Sequence, residues 1–168
     1  TANAHSRGGY RIDDELLLTA RYRSPAVIAD RDNDDAVTTL DPEGYHPSCQ
    51  PGQRLPHVRL SGGSAGGTSS LDLLGSGFTL LTTTDDPAWR RQAAKAQQAG
   101  QPVTDQAINT GTQRGTKPGS WARLVGSGGE PIAVLVRPDG HIAWCGTGPV
   151  VDLKPILRRI FSAKFAPR

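Results

Sequence analysis

Five apolar residues, Ile132-Ala-Val-Leu-Val136, run without alternation. A strand takes that composition when both faces of its sheet are covered, so the run is predicted to form the centre of a sheet. Arg137-Pro-Asp-Gly140 follows as a turn: Pro138 presets φ, Asp139 can bond nearby amides and Gly140 can take positive φ. His141-Ile-Ala-Trp144 then reads as the antiparallel return strand of a hairpin. The chain breaks at Gly146-Thr-Gly-Pro149, and Asp152 stands where a helix N-cap belongs. Leu153, Ile156, Leu157, Ile160 and Phe161 fall on one stripe of that helix, with Arg158 and Arg159 pointing away and Pro155 tolerated in its first turn.

Upstream the pattern is more broken. Leu16-Leu-Leu-Thr-Ala-Arg-Tyr22 is the first candidate strand, ending before Ser24-Pro25, and Ala26-Val-Ile28 can extend it. From Asp30 to Gly52 there is little to bury, which predicts an exposed acidic arm. His57-Val-Arg-Leu60 is a short strand, Ser61 to Ser70 a flexible Gly/Ser loop, and Leu71-Asp-Leu-Leu74 a turn of helix or an extended contact. Phe78-Thr-Leu-Leu-Thr-Thr83 is strongly β in composition. The next helix is capped by Asp85 or Asp86, has Pro87 near its first position, stops at Gly100, and turns Trp89, Ala93 and Ala96 inward. Val103 to Asn109 is a further strand, Thr110 to Ser120 a polar loop, and Trp121 to Val125 a short helix or turn. The order predicts an α/β fold whose mixed sheet is parallel in the middle and antiparallel at one edge. Residues 1–9 are expected to be a linker or frayed terminus, 10–50 a leading strand with the arm, and 51–168 the domain proper.

Composition adjusts this picture only modestly. A chain of 168 residues fits one domain, and 20 Gly with 13 Pro point to much loop. No apolar run approaches the ~18 residues that span a bilayer and no signal peptide is visible, so a soluble, cytoplasmic protein without membrane partners is expected. The absence of Met leads to the expectation of a processed product or a piece of something longer. Net charge is +3, with residues 1–50 at −4 and the remainder at +7, but the positives are scattered and aromatics are few, which argues against nucleic acid. Cys49 and Cys145 stand 96 positions apart without a CxxC and read as packing or bystander thiols.

A proline, an apolar strand, a glycine turn, a return strand and an amphipathic helix resemble the closing half of a thioredoxin-like domain. In that fold the redox cysteines sit between the strand corresponding to Phe78–Thr83 and the following helix, where the helix N-terminus lowers a thiol pKa. This chain has Thr84-Asp-Asp-Pro-Ala-Trp89 there, so the domain is expected to be redox-inactive. The same resemblance places a cis peptide at Glu130-Pro131. Other matches are weak. Gly62-Gly-Ser-Ala-Gly66 fits GxSxG inside a Gly/Ser run; Asp30, Asp32, Asp34 and Asp41 have calcium-loop spacing but Asp35 in place of the loop glycine. His46, Cys49 and His57 could ligate a metal but have no fourth partner nearby, and His141 reads as a surface residue. No catalytic, cofactor-binding or metal residue is assigned.

Pro51-Gly-Gln-Arg-Leu-Pro-His57, Ser70-Leu-Asp-Leu-Leu-Gly75 with Gly77-Phe-Thr-Leu-Leu81, and Leu135-Val-Arg-Pro-Asp-Gly-His-Ile-Ala-Trp144 together resemble the C-terminal domain of the FAD-dependent aromatic hydroxylases, the class A flavoprotein monooxygenases that include phenol 2-monooxygenase, pentachlorophenol monooxygenase and polyketide hydroxylases. Tyr22-Arg-Ser-Pro-Ala-Val-Ile28 is similar to the segment by which that family enters this domain. The resemblance implies a parent enzyme that uses FAD, NAD(P)H and O₂ to hydroxylate a phenolic or polyketide aromatic. Within it, this segment would be a non-catalytic, thioredoxin-like accessory domain whose partners are the N-terminal FAD-binding and substrate domains of the same polypeptide, or a second copy in a homodimer. Where the family usually has arginine after Ala-Trp, this chain has Cys145, which puts any salt bridge at that position in doubt. Two alternatives stand beside it: a divergent thioredoxin- or peroxiredoxin-like oxidoreductase using Cys49 or Cys145, and a stand-alone binding module for a small ligand or a protein.

Overall fold

The computed structural model describes residues 21, 24–28, 48–60, 68–83, 86–108 and 132–162. Its frame is a four-stranded sheet of β3 (Phe78–Thr82), β4 (Val103–Ala107), β5 (Ile132–Val136) and β6 (Ile142–Thr147), in the order β4-β3-β5-β6. Two short strands, β1 (Arg59–Leu60) and β2 (Thr68–Ser69), pair separately, and a short 3₁₀ helix (Ser70–Leu73) and two α-helices, α1 (Pro87–Gln98) and α2 (Leu153–Ser162), complete the described elements. All five residues of β5 and all five of β3 are buried, as expected of strands covered on both sides.

The sheet differs from the expectation in where its parallel pair lies. Only β3 and β4 run parallel; β3–β5 and β5–β6 are antiparallel, so the parallel pair is at one edge and the middle is antiparallel. The reason is the connection through α1. A strand–helix–strand crossover returns β4 alongside β3 in the same direction. The later strand β5 then takes the other side of β3, in the opposite direction, with Leu80 opposite Leu135.

Alternation sorts the core into two layers. Phe78, Leu80, Ala133, Leu135 and Ala143 face the helices, where Trp89, Ala93 and Ala96 of α1 meet Leu153, Leu157 and Ile160 of α2. Leu81, Ile132, Val134, Val136 and Ile142 face the other way, onto Cys49, Leu55 and Val58, with Leu71, Leu73 and Leu74 packed alongside. Both helices start as their sequences require. Asp86 accepts a hydrogen bond from Ala88 N at 2.8 Å ahead of Pro87, and Asp152 accepts one from Lys154 N at 3.0 Å. Phe161 stays largely exposed at the end of the α2 stripe, its ring edge on Phe78 at 5.1 Å between centroids.

Several segments are placed differently from the sequence pattern. The return strand runs on through Gly146 and Thr147 instead of breaking there. Gly146 lets the Trp144 indole lie over it: a Cβ at that position would collide with the ring at Trp144 Cζ2 and Cη2 unless the ring moved. Pro25 and Ala26 form a turn, with Val27 N donating to Ser24 O at 2.9 Å, before Ile28 N donates to Ala143 O at 2.7 Å. The end of the expected exposed arm is buried at Cys49 and Gly52, because residues 52–55 hydrogen-bond to the start of β6. Strand β1 is shorter than His57–Leu60, and the Gly/Ser stretch ends in β2 and a buried Ser70. The frayed terminus, the leading strand before Arg21, the Thr110–Ser120 loop, the Trp121–Val125 element and the Glu130-Pro131 bond lie outside the described residues.

Leu80 is fully buried between β5 and the helices, so Leu80→Ala should lower the unfolding free energy by about 2–5 kcal/mol. The exposed Arg91→Ala should stay within about 0.5 kcal/mol of the parent; urea denaturation followed by tryptophan fluorescence measures both.

Candidate functional site

The three motifs most conspicuous in the sequence come together at one end of the helix-free face of the sheet. The turn Arg137–Gly140 closes with Gly140 N donating to Arg137 O at 3.0 Å and Arg137 N to His141 O at 2.8 Å, and Gly140 takes a φ of +81° that a side chain would strain. Asp139 organises the tip. Its carboxylate accepts from His141 N at 3.1 Å, lies 2.6 Å from Arg137 Nη2 and is 3.4 Å from His141 Nδ1. Burial pushes the Asp139 carboxyl up, but the His141 amide, the Arg137 charge and the His141 ring together outweigh it and hold the group below the ordinary aspartate range. His141 is therefore half-buried in an ion-paired turn and not a bare surface residue.

Pro51–His57 is laid along this tip as an added edge. Gly52 N donates to Ile142 O, Ile142 N to Gln53 O and Leu55 N to Gly140 O, each at 2.8 Å, with Arg54 opposite His141 in an antiparallel bridge. The third motif fastens the same segment from beyond. Ser70, fully buried, donates its hydroxyl to Pro56 O at 2.7 Å and accepts from Val58 N at 2.9 Å, while Ser70 N donates to Val58 O at 2.8 Å. The Ser69–Asp72 capping pair holds the short 3₁₀ helix Ser70–Leu73 in place, Asp72 accepting from Ser69 N at 2.8 Å. The ordered motifs thus build a scaffold of backbone hydrogen bonds, a buried hydroxyl and one salt-bridged turn.

The sulfur atoms lie on this face too. Cys49 is buried in the cluster of Leu55, Val58, Leu81 and Ile142, and Cys145 packs against the same cluster. Burial, and secondarily the charge of Cys145, pushes the Cys49 thiol up to about 12. Neither cysteine is near the start of α1, whose packing is all on the opposite side of the sheet. That both thiols pack on one cluster was not legible in the sequence, because it depends on the pairing of residues 52–55 with 140–142. Ser70 was missed as well; the Ser-x-x-Asp spacing from Ser69 was the signal that could have marked it.

Among the described residues, no three of His, Cys, Asp and Glu come together as metal ligands. Cys49 is buried and His57 exposed, while His46, Ser64 and Asp30, Asp32, Asp34 and Asp41 lie outside the described residues. No described helix is long and apolar enough to cross a membrane. At the described helix starts the residues do not suit a flavin dinucleotide's pyrophosphate. Each helix N-terminus, the usual seat for a phosphate, already carries its own capping carboxylate, Asp86 or Asp152, which would repel a pyrophosphate. Among the described residues an open groove of about 600 Å³ lies between α1 and α2, lined by Ala96, Leu157 and Phe161 and by the charged Lys95, Asp152, Lys154 and Arg158.

Fold and site together define a mixed α/β domain, a four-stranded sheet with two helices on one face and a hydrogen-bonded arm on the other. Residues 48–163 match the family model of the aromatic-ring hydroxylase C-terminal domain, and the chain belongs to that family. It is 36% identical over 154 residues to 2,4-dichlorophenol 6-monooxygenase of Cupriavidus pinatubonensis, covering 85% of this chain and 25% of that protein. It is 36% identical over 151 residues to the aklavinone 12-hydroxylase RdmE of Streptomyces purpurascens, covering 87% and 27%. Among solved structures, aklavinone-11 hydroxylase in complex with FAD and aklavinone superposes with a TM-score of 0.69 at 34% identity, over 88% of this chain and 27% of that one. The chain therefore spans about a quarter of the length of the relatives it matches.

Two substitutions probe the scaffold. Ser70→Ala leaves Pro56 O and Val58 N without their buried partner and should cost about 1–3 kcal/mol in chemical denaturation. Asp139 has a depressed folded pKa, so its contribution is complete above the unfolded value of ~3.9 and is lost as pH falls through the folded value. Asp139→Asn should cost about 1 kcal/mol or less at pH 7, the carboxylate being half exposed, and should flatten the dependence of stability on pH below about 4.

Proposed function

We propose that this chain serves as the non-catalytic C-terminal domain of an FAD- and NAD(P)H-dependent monooxygenase that hydroxylates a phenolic or polyketide aromatic. The observation that carries the reading is family membership over residues 48–163 in a chain that spans only a quarter of relatives named as phenol and polyketide hydroxylases. In this reading FAD and NAD(P)H are bound by other domains of the same polypeptide, which are this domain's partners; a homodimer contact is the further arrangement it allows. The segment from residue 51 onward is then thioredoxin-like. A β-α-β unit with parallel strands, followed by an antiparallel hairpin and a helix, in the sheet order β4-β3-β5-β6, supports that assignment.

Chemistry at the places where this scaffold could act supports the non-catalytic role. The helix start that would activate a thiol holds Asp86 and Pro87, and both helix N-termini are satisfied by their own carboxylates. What remains is surface suited to contact: the groove between α1 and α2, lined by exposed Phe161 and by charged side chains of both signs. Apolar area of that kind beside charge fits packing onto another domain better than it fits a reaction.

Titrating the 168-residue chain with FAD, and separately with a phenol, tests this directly. Flavin and tryptophan fluorescence should show no saturable change, and saturable binding in the micromolar range would overturn the assignment of a non-catalytic domain.

A further inference from the structure

We propose that the groove between α1 and α2 is a docking site for an acidic protein segment that carries a bulky apolar side chain. The source of that segment, another domain of the same polypeptide, rests on the function proposed above. The charges that look scattered in the sequence are gathered by the fold. Arg90, Arg91 and Lys95 lie on α1 and Lys154, Arg158 and Arg159 on α2; all are exposed, and neither helix contains an Asp or a Glu. Lys95, Lys154 and Arg158 line the groove itself, beside the apolar Ala96, Leu157 and Phe161. The carboxylate in the groove, Asp152, is already bonded to the amide of Lys154 at the start of α2.

This charge pattern works against the helices that carry it. Lys154 and Arg158 stand four positions apart on one face of α2, as do Arg91 and Lys95 on α1, and like charges at that spacing repel. Lys154 also sits in the first turn of α2, at the positive end of the helix dipole, where an acid is favoured and none is present. Arg90 meets Asp105 at 3.5 Å, but among the described residues Arg91, Lys95, Lys154, Arg158 and Arg159 form no salt bridge. A face of one sign is relieved by a partner of the other sign and draws it in. The apolar half of the partner follows from Phe161, which is 43% exposed and, with Val151, one of the two large hydrophobic side chains left exposed among the described residues. Carboxylates for the cations and an aliphatic or aromatic side chain for Leu157 and Phe161 together describe an acidic peptide segment. A nucleic-acid backbone brings the charge without an apolar group to fill the groove, and a flat lipid surface does not enter it.

The test titrates the 168-residue chain into a fluorescein-labelled peptide of Leu and Glu, as long as α1, with Leu on one helical face and Glu on its flanks, and follows fluorescence anisotropy. Saturable binding is expected, about tenfold weaker at ~1 M salt, where the Debye length falls to about 3 Å. A carbodiimide should join the peptide's carboxylates to Lys95 or Lys154, as read by mass spectrometry. Lys95→Glu with Lys154→Glu should weaken binding about tenfold or more. Arg54→Glu with Arg59→Glu, an equal change of charge on the helix-free side, should leave it within about twofold. The first pair of substitutions turns both repulsive helix pairs into attractive ones, so a thermal midpoint at or above that of the parent separates lost docking from lost folding. Absence of saturable binding, equal binding of the same peptide with Gln in place of Glu, cross-links only to other lysines, or tighter binding of duplex DNA or phosphatidylserine vesicles would each overturn the proposal. The assay contains no flavin, so its failure and that of the FAD titration are separate events.

Discussion

The inner pair of strands imposes the main constraint on this molecule. Strands β3 and β5 are buried along their whole length, so the sheet has no solvent face at its centre and must be covered twice. The helices supply one cover, through Trp89, Ala93, Leu153 and Leu157. The other is made of almost nothing regular: a hydrogen-bonded stretch from Cys49 to Val58 and one turn of 3₁₀ helix. Such a cover has few internal backbone bonds, so its hold on the sheet comes from a small number of specific ones, those of Gly52, Gln53, Leu55 and Ser70. The buried polar groups of the inner strands are also satisfied locally, as where Thr79 Oγ1 accepts from Gly75 N at 3.2 Å.

Local pattern explains the elements that were legible in the sequence. The unbroken run Ile132–Val136 and the stripe from Leu153 to Ile160 need only period and composition to be read. Asp86, Pro87 and the glycine at 100 likewise mark α1 through rules that act within a few residues. What escaped depends on contacts far apart in sequence. Whether β5 joins β3 parallel or antiparallel is not written in either strand, since both are apolar throughout. The burial of Cys49 and Ser70 is set by partners elsewhere in the chain, and a glycine- and serine-rich neighbourhood disguises the second completely.

The candidate site shows why strong motifs need not mark chemistry. Pro51–His57, Ser70–Gly75 and Leu135–Trp144 are conspicuous because each contains residues with few substitutes: a turn glycine, a buried hydroxyl, a carboxylate that bonds two neighbours. Those demands are architectural. They fasten this domain together, while the chemistry in the names of its relatives belongs to proteins about four times as long. Fold and function thus reside in different features of a chain, and here function rests on kinship.

Strand β6 carries a feature whose consequence reaches across the sheet. Leu135 faces Trp144 and Val136 faces Ile142, so Ala143 is an extra residue and both Ala143 and Trp144 pack toward the helices. That single surplus position sets the phase of everything after it. Deleting one residue between Arg137 and Ala143 would remove the surplus and leave the strand two incompatible choices: keep its pairing and shorten the turn, or slide and exchange its faces. In the second case the indole would be driven among the aliphatic side chains of the arm and a thiol would be left beneath the helices. Length in this hairpin is therefore as constrained as identity, and insertions or deletions should be tolerated on either side of it far sooner than within it.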